Sequence, residues 1–326
     1  MYIIVVNLNI LCLKPISNIR FPVKDDSWRS QIRSRVYGVK VMSITKAILD
    51  ECSIIFPPLV EQLAIAAYLD EKCGKVEELV ADLERQVKDL AAMKKSEISR
   101  VVTKGLNSDA PLKDSGIEWI GKVPKTWELV PLKRALLDKM MYGAKESAES
   151  NDRNFPRYIR ITDIDENGNL KEDTFKSLPL DKAKDYMLKK GDILFARSGA
   201  TVGKTFLYNS DEPACFAGYL IKAECNTELL YPDFLMLYTK SNEYDNWKNN
   251  VFAQATIQNI GADKYCTLPI ALPPLNEQSQ IVNYLDSYCQ KVDKIISEIK
   301  EQIADLKLYK QSLISEVVTG KIKVID

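Results

Sequence analysis

Apolar residues recur every seven positions along two separated stretches of the chain. In the later stretch Leu285, Val292, Ile299, Leu306 and Leu313 mark the period, and Ile295, Ile296, Ile303 and Val317 fill the intervening position. The earlier stretch answers with Leu69, Val76, Leu83 and Leu90, then Leu79, Val80, Val87 and Val101, and its series breaks once, at Glu97. A sustained seven-residue period with charged residues between predicts a long coiled-coil helix in each stretch. Pro57-Pro58 and Pro273-Pro274 punctuate the starts, because proline suits a helix's first turn and not its interior. Gly105 and Gly320 stand where each helix should stop. At 1.5 Å per residue such helices span roughly 60–70 Å. A helix with one apolar stripe needs a partner, and the simplest is the other stretch, packed antiparallel within the chain.

The two stretches are copies. Pro57–Thr103 aligns without a gap to Pro273–Thr319 at an offset of 216, with 22 identities in 47 positions, so one structural unit is used twice.

Between the copies the pattern changes to short runs rich in β-branched and aromatic residues. Tyr158–Ile164, Ile193–Arg197, Thr205–Tyr208 and Phe216–Ala223 read as strands. Glu166–Asn169, Lys190–Asp192 and Ser198-Gly199 read as turns. Pro232–Tyr244 reads as an amphipathic helix, and Ala255–Pro274 leads into the second long helix. The expected fold class is α+β: one globular α/β domain with a twisted sheet, plus two long helices packed as an antiparallel coiled coil. Traces of an earlier copy precede the first helix. Val41–Ile44 aligns with Ile257–Ile260 at the same offset, and Trp28 matches Trp247 if three extra residues are allowed.

Composition narrows the chemistry. Lys+Arg and Asp+Glu are equal at 45 each, and Leu112–Leu272 carries 22 against 23, so no global basic field announces a nucleic-acid partner. Phosphate contacts would have to come from local basic clusters or from partner subunits. The chain has no histidine, which excludes Ser–His–Asp and Cys–His nucleophile systems and His-ligated zinc or haem. Its seven cysteines (Cys12, Cys52, Cys73, Cys215, Cys225, Cys266, Cys289) form no C-x-x-C pair and read as reduced, mostly buried thiols, without disulfides or a metal site. Met1–Leu13 is apolar but holds Asn7 and Asn9 and lacks a basic flank and a cleavage site, so a buried strand or an unstructured leader is expected.

Three segments carry a resemblance. Pro111–Trp127 (PLKDSGIEWIGKVPKTW), Lys190–Tyr208 (KGDILFARSGATVGKTFLY) and Pro273–Leu285 (PPLNEQSQIVNYL), with the helical duplication, resemble the specificity subunits of type I restriction–modification systems over about nine-tenths of the chain. The resemblance implies target-recognition domains that each read half of a bipartite site on double-stranded DNA, held apart by two helices. It implies docking of methyltransferase subunits that methylate adenine N6 using S-adenosylmethionine. Restriction subunits that use ATP with magnesium join them, and these cofactors belong to the partner subunits, none to this chain. Half-sites one helical turn apart lie ~34 Å from each other, a spacing rigid helices can fix. A non-catalytic, cytoplasmic prokaryotic DNA reader is the expectation.

On this reading residues 1–56 are the remnant tail of a first recognition domain, 57–108 the first helix, 109–272 a complete recognition domain and 273–326 the second helix. The missing front of the first domain departs from the family pattern. Two chains would then pair as a homodimer to rebuild a two-domain reader, or the chain is a truncated or silent cassette. A coiled-coil scaffold whose globular domain binds protein is the reading from another class. Salt-dependent, sequence-selective DNA binding separates the two.

Individual residues follow. Gly199–Thr205 (GATVGKT) imitates a phosphate-binding loop but has three residues between its glycines where four are needed, so a turn is expected, with Arg197, Ser198 and Lys204 facing DNA phosphates. For base edges the useful donors are Arg157, Arg160, Gln254, Gln258 and Asn259, with Thr256 in the same polar cluster; solvated surface is the bland alternative for each. Lys133, Arg134, Lys139, Lys145 and Arg153 leave Pro131–Arg160 modestly positive. Asp70 and Asp286, Glu61 and Glu277 are repeat-equivalent and are explained as helix-start carboxylates rather than an acid–base pair. Cys73 and Cys289 are expected in the helix seam.

Overall fold

A computed structural model describes residues 3–5, 26–36, 48, 52–55, 57–147, 150–165, 168–253 and 258–325. They divide into two compact units, one of residues 1–90 with 293–326 and one of residues 91–292.

The first unit holds β1 (Ile3–Val5), α1 (Asp26–Arg33), β2 (Ser53–Ile55), and the parts of α2 (Leu59–Lys104) and α7 (Leu275–Val318) that fall within its bounds. The heptad positions do what their spacing predicts. Leu83 packs with Ile299 and Ile303, and Leu69 and Cys73 with Leu313, Ile314 and Val317. Residue numbers fall along α7 as they rise along α2, so the helices run antiparallel here. Lys307 pairs with Glu84 at 3.1 Å, and Lys310 pairs with Glu77, across the exposed edge of the seam. Exposed pairs of this kind add little stability and serve chiefly to set register. β1 pairs antiparallel with β2, Ile3 opposite Ile55.

Both long helices begin and end by the same chemistry. Gln62 donates from Nε2 to the Pro57 carbonyl (2.7 Å), and its repeat-equivalent Gln278 donates to Pro273 (2.9 Å). At the other end Gly105 (φ 72°) and Gly320 (φ 75°) adopt the left-handed conformation that closes a helix C-terminus. The order of elements before each helix also repeats. α1 and β2 precede α2, as α5 (Asn242–Ala253) and β12 (Pro269–Leu272) precede α7, and Trp28 and Trp247 both lie on the preceding helix.

The second unit opens with β3 (Leu112–Asp114), β4 (Lys122–Pro124), β5 (Glu128–Pro131) and β6 (Met141–Tyr142). It continues with β7 (Arg157–Ile159), α3 (Leu180–Ala183), β8 (Ile193–Ala196), β9 (Thr205–Leu207), β10 (Ala214–Phe216) and β11 (Leu220–Ala223). α4 (Pro232–Tyr238), α5, α6 (Ala262–Tyr265) and β12 lead back to α7. A four-stranded antiparallel sheet in the order β6-β11-β8-β9 lies at the centre. β12 pairs with β5 and β3 with β4, both antiparallel, while β7 and β10 run parallel.

β8 is buried on both faces, and its alternation sorts it between two cores. Ile193 and Phe195 join the larger core with Trp127, Tyr238, Trp247 and Tyr265, whereas Leu194 and Ala196 face Phe206 and Phe216. The larger core also takes Ile98 and Val101 of α2 and Ile281 and Leu285 of α7. The break in the heptads at Glu97 has a local cause. The carboxylate accepts from Arg100 (2.6 Å) and from the Tyr284 hydroxyl (2.7 Å), replacing an apolar contact by a polar one.

Three expected elements come out differently. Phe216–Ala223 is two strands, because the backbone at Ala217–Gly218 is drawn against the next segment: Gly218 N–H donates to Ala144 O at 2.6 Å, and Leu220 N–H turns back to Ala217 O at 2.8 Å. A Cβ on Gly143 would come within 2.4 Å of the Ala217 carbonyl oxygen, so this close approach requires glycine there. Pro232–Tyr244 is two helices: Thr239 Oγ1 donates back to the Met236 carbonyl, and buried Ser241 caps the new start by accepting from Tyr244 N–H. Of Tyr158–Ile164 only the first two residues lie on a strand, after which Arg160–Asp163 pairing turns the chain into one 3-10 turn.

Candidate nucleic-acid interface

At one end of the four-stranded sheet, four segments converge. β6 ends at Tyr142, β8 runs into Arg197 and Ser198, Tyr219 precedes β11, and the stretch before α6 passes alongside. Main-chain bonds hold them together. Arg197 N–H donates to the Tyr219 carbonyl (3.0 Å), and Ile260 N–H donates to the Arg197 carbonyl (2.8 Å). Ser198 and Asn259 form an antiparallel bridge. Tyr142 accepts at its hydroxyl from Ala262 N–H (3.0 Å).

The side chains presented here are Arg197, half-buried, with exposed Gln258, Asn259 and Tyr219. The Arg197 guanidinium lies 5.0 Å from the centroid of the Tyr142 ring. Its Nε is buried without a hydrogen-bond partner among the described residues. Tyr219 is 72 % exposed, unusual for so large an apolar surface.

Lys204 is exposed at the far side of the β8–β9 connection. The turn expected at Gly199–Thr205 is present. Val202 N–H donates to Gly199 O (3.1 Å), Gly203 N–H to Ala196 O (2.9 Å) and Lys204 N–H to Thr201 O (2.9 Å). These amides, which a phosphate-binding loop would turn toward its anion, are spent within the turn.

Arg157 and Arg160 sit elsewhere, on and beside β7. Arg157 is buried and donates to Glu172 Oε1 (2.7 Å) and the Lys171 carbonyl (2.6 Å). The hydrogen bond from Arg157 leads the causes that hold the Glu172 carboxyl below its ordinary range. Arg160 grips buried Asp163 with two nitrogens (2.9 and 2.7 Å) and reaches the Thr174 carbonyl. Both guanidiniums are therefore committed to the protein itself. Gln254 and Thr256 lie outside the described residues. Of the flanking cations, Lys133, Arg134, Lys139 and Lys145 are exposed, and Arg153 pairs with Glu172 at 3.1 Å.

The repeat-equivalent groups resolve individually. Glu277 accepts from the Trp127 indole N–H at 2.8 Å. Cys73 is buried in the seam, while Cys289 packs against the larger core of the second unit. Burial pushes the Cys215 and Cys225 thiols up to about 12, which keeps both protonated and unreactive. No helix among the described residues is long and apolar enough to cross a membrane.

Sequence reasoning missed Tyr142 and Tyr219. The signal for Tyr219 was Gly218 beside it, a turn residue inside a run that reads as one strand.

The fold of this chain has a counterpart among solved structures. It superposes with a TM-score of 0.72 and 20 % identity on a chain from a solved structure concerned with complex assembly and conformational transition of the type I R-M system, covering 93 % of this chain and 71 % of that one. Residues 124–305 match the family described as "Type I restriction modification DNA specificity domain", and the chain belongs to that family. It is 24 % identical over 302 residues to the type I restriction enzyme MjaVIII specificity subunit of Methanocaldococcus jannaschii, spanning 90 % of this chain and 68 % of that protein. It is 25 % identical over 210 residues to the EcoKI specificity subunit of Escherichia coli, spanning 62 % of this chain and 44 % of that one.

Proposed function

We propose that the chain is the sequence-specific DNA-recognition subunit of a type I restriction–modification complex, reading one half of a bipartite site on double-stranded DNA. The observation that carries this reading is the sheet end, where an arginine without a carboxylate partner among the described residues, two exposed amides and an exposed tyrosine share one surface. Arginine, asparagine and glutamine are the side chains that pair bidentately with base edges. α2 and α7 dock methyltransferase subunits, which bring S-adenosylmethionine, and restriction subunits bring the ATP- and magnesium-dependent steps. The chain itself recognises and does not catalyse.

The other half-site comes from a second copy in a homodimer or from a different specificity chain. A truncated or silent specificity cassette is the competing reading.

Co-expression with the methyltransferase subunit of the same operon, followed by mapping of N6-methyladenine across host DNA, tests the proposal. One bipartite motif is expected. Inverted-repeat halves mean self-pairing; unlike halves mean a second specificity chain. A soluble complex without new methylation would overturn the reader in favour of the silent cassette.

A further inference from the structure

We infer that Arg197 reads a guanine directly, and that Tyr142 is the positioning residue that holds its guanidinium for that contact. The inference rests on the DNA-reader function proposed above and assigns one element of its specificity.

A cation at a DNA interface can meet a phosphate or a base, and the two leave different marks on the protein. A phosphate can be met by a charge on a flexible stem, whereas a base edge demands a fork held in the plane of the base. Arg197 is built the other way. Its backbone is bonded on both sides, to Tyr219 through the N–H and to Ile260 through the carbonyl. Its guanidinium lies over the Tyr142 ring, and that ring is itself fixed by the bond its hydroxyl accepts from Ala262. Stacking on an aromatic face sets the plane of the fork. A fork held in one plane matches two acceptors that lie together in the plane of a base, which in the major groove are O6 and N7 of guanine.

The charge is also kept free. Arg100, Arg153, Arg157 and Arg160 each pair with a carboxylate. Arg197 has no such pair among the described residues, and its Nε is buried without a partner. A half-buried guanidinium with no counter-charge among the described residues is poised for an acceptor from outside. The neighbours complete a base-reading surface rather than a phosphate-binding one: Asn259 is bridged to Ser198, and the Tyr219 ring is exposed. Lys204, exposed and unpinned, is the residue in this region suited to a phosphate, and it supplies the control.

The test uses the complex of this chain with its methyltransferase subunit. First the methylated motif is mapped for the native chain, for Arg197→Ala and for Lys204→Ala. Then binding is measured to duplexes that carry 7-deazaguanine, which lacks the N7 acceptor, at each guanine of the half-site. Arg197→Ala should make one G·C position degenerate while the other positions stay readable, and those retained positions report that the domain is folded. 7-Deazaguanine at that position removes one of the two bonds and should weaken the native complex by about 2- to 12-fold, half the free energy of a bidentate pair, and leave Arg197→Ala unaffected. Tyr142→Leu should lose part of the same discrimination and no other. Lys204→Ala should weaken all sequences alike and lower the salt slope by about one.

If Arg197→Ala keeps the full motif and behaves like Lys204→Ala, Arg197 is a phosphate contact and the inference is overturned. A half-site without a G·C pair overturns it too. The 7-deazaguanine arm needs no mutant and stands even if Arg197→Ala fails to fold. If the native complex shows no sequence-selective binding at all, the reader function falls and takes this assignment with it.

Discussion

Gln278 and Gln62 occupy the same place in the two helix copies but carry different loads, and replacing each with leucine measures the difference. Gln278 is fully buried and makes three bonds: Nε2 donates to the Pro273 and Leu229 carbonyls, and Oε1 accepts from Tyr231 N–H. Among the described residues Gln62 makes one of the three, to Pro57. At a net ~1 kcal/mol per bond, Gln278→Leu should cost about 3 kcal/mol and Gln62→Leu about 1 kcal/mol. The first figure rises if the Tyr231 amide is left without water. Leucine is close to glutamine in volume, so loss of packing contributes little to either number. Native-state hydrogen exchange suits the comparison, because it reads the surroundings of each residue separately in a chain of two units. Exchange protection around Tyr231 and Leu229 should fall by roughly two powers of ten in Gln278→Leu. An equal loss in both variants, or a loss below about 1 kcal/mol for Gln278→Leu, would refute the reasoning that bond number sets the cost.

Two further outcomes follow from the helix ends and from the heptad break. Gly105→Ala meets both a left-handed backbone (φ 72°) and Glu277 Oε1 at 2.6 Å, whereas a Cβ on Gly320 (φ 75°) meets nothing within 4 Å. Gly320→Ala should cost about 1–2 kcal/mol from conformation alone, Gly105→Ala clearly more, and thermal melts of the two variants check the order. The hydrogen bond from Arg100, assisted by that from Tyr284, holds the Glu97 carboxyl below its ordinary value of 4.5. A carboxyl depressed in the folded chain stabilises it above that ordinary value, and the contribution is lost as pH falls through the folded value. The native chain should therefore exceed Glu97→Gln in stability at pH 7, and the gap should close progressively below about pH 4.5. A gap that widens in acid in urea titrations would contradict the assignment.

The long helices were legible because one face repeats every seven residues over more than forty, and because a second copy repeats the pattern. Proline starts and glycine stops at the stated positions needed nothing from the rest of the fold. The strands of the second unit were harder. β8 stood out as an apolar run, but β5, β6 and β12 are two to four residues long and are defined by their partners rather than by their own pattern. The splits at Gly218 and Ser241 depended on one close backbone approach and one cap, which compete locally with a continuing strand or helix. At the candidate site, residue type pointed equally to Arg157, Arg160 and Arg197. Only tertiary structure separates them, because Glu172 and Asp163 reach the first two from 15 and three residues away in sequence and no carboxylate among the described residues reaches the third.

The bonds that assemble the sheet end run mostly between main-chain atoms: Arg197 to Tyr219, Ile260 to Arg197, Gly218 to Ala144. Such bonds form whatever side chains the residues carry, apart from proline's missing N–H and from the close approach that requires Gly143. The platform therefore stays put while the letters set upon it change. On the proposed DNA-reader function, substitutions at Ser198, Tyr219, Gln258 or Asn259 would rewrite what the surface recognises without a new fold being found each time. On that function a lineage carrying this domain would explore new targets one side chain at a time, and each trial would leave the supporting sheet as it was.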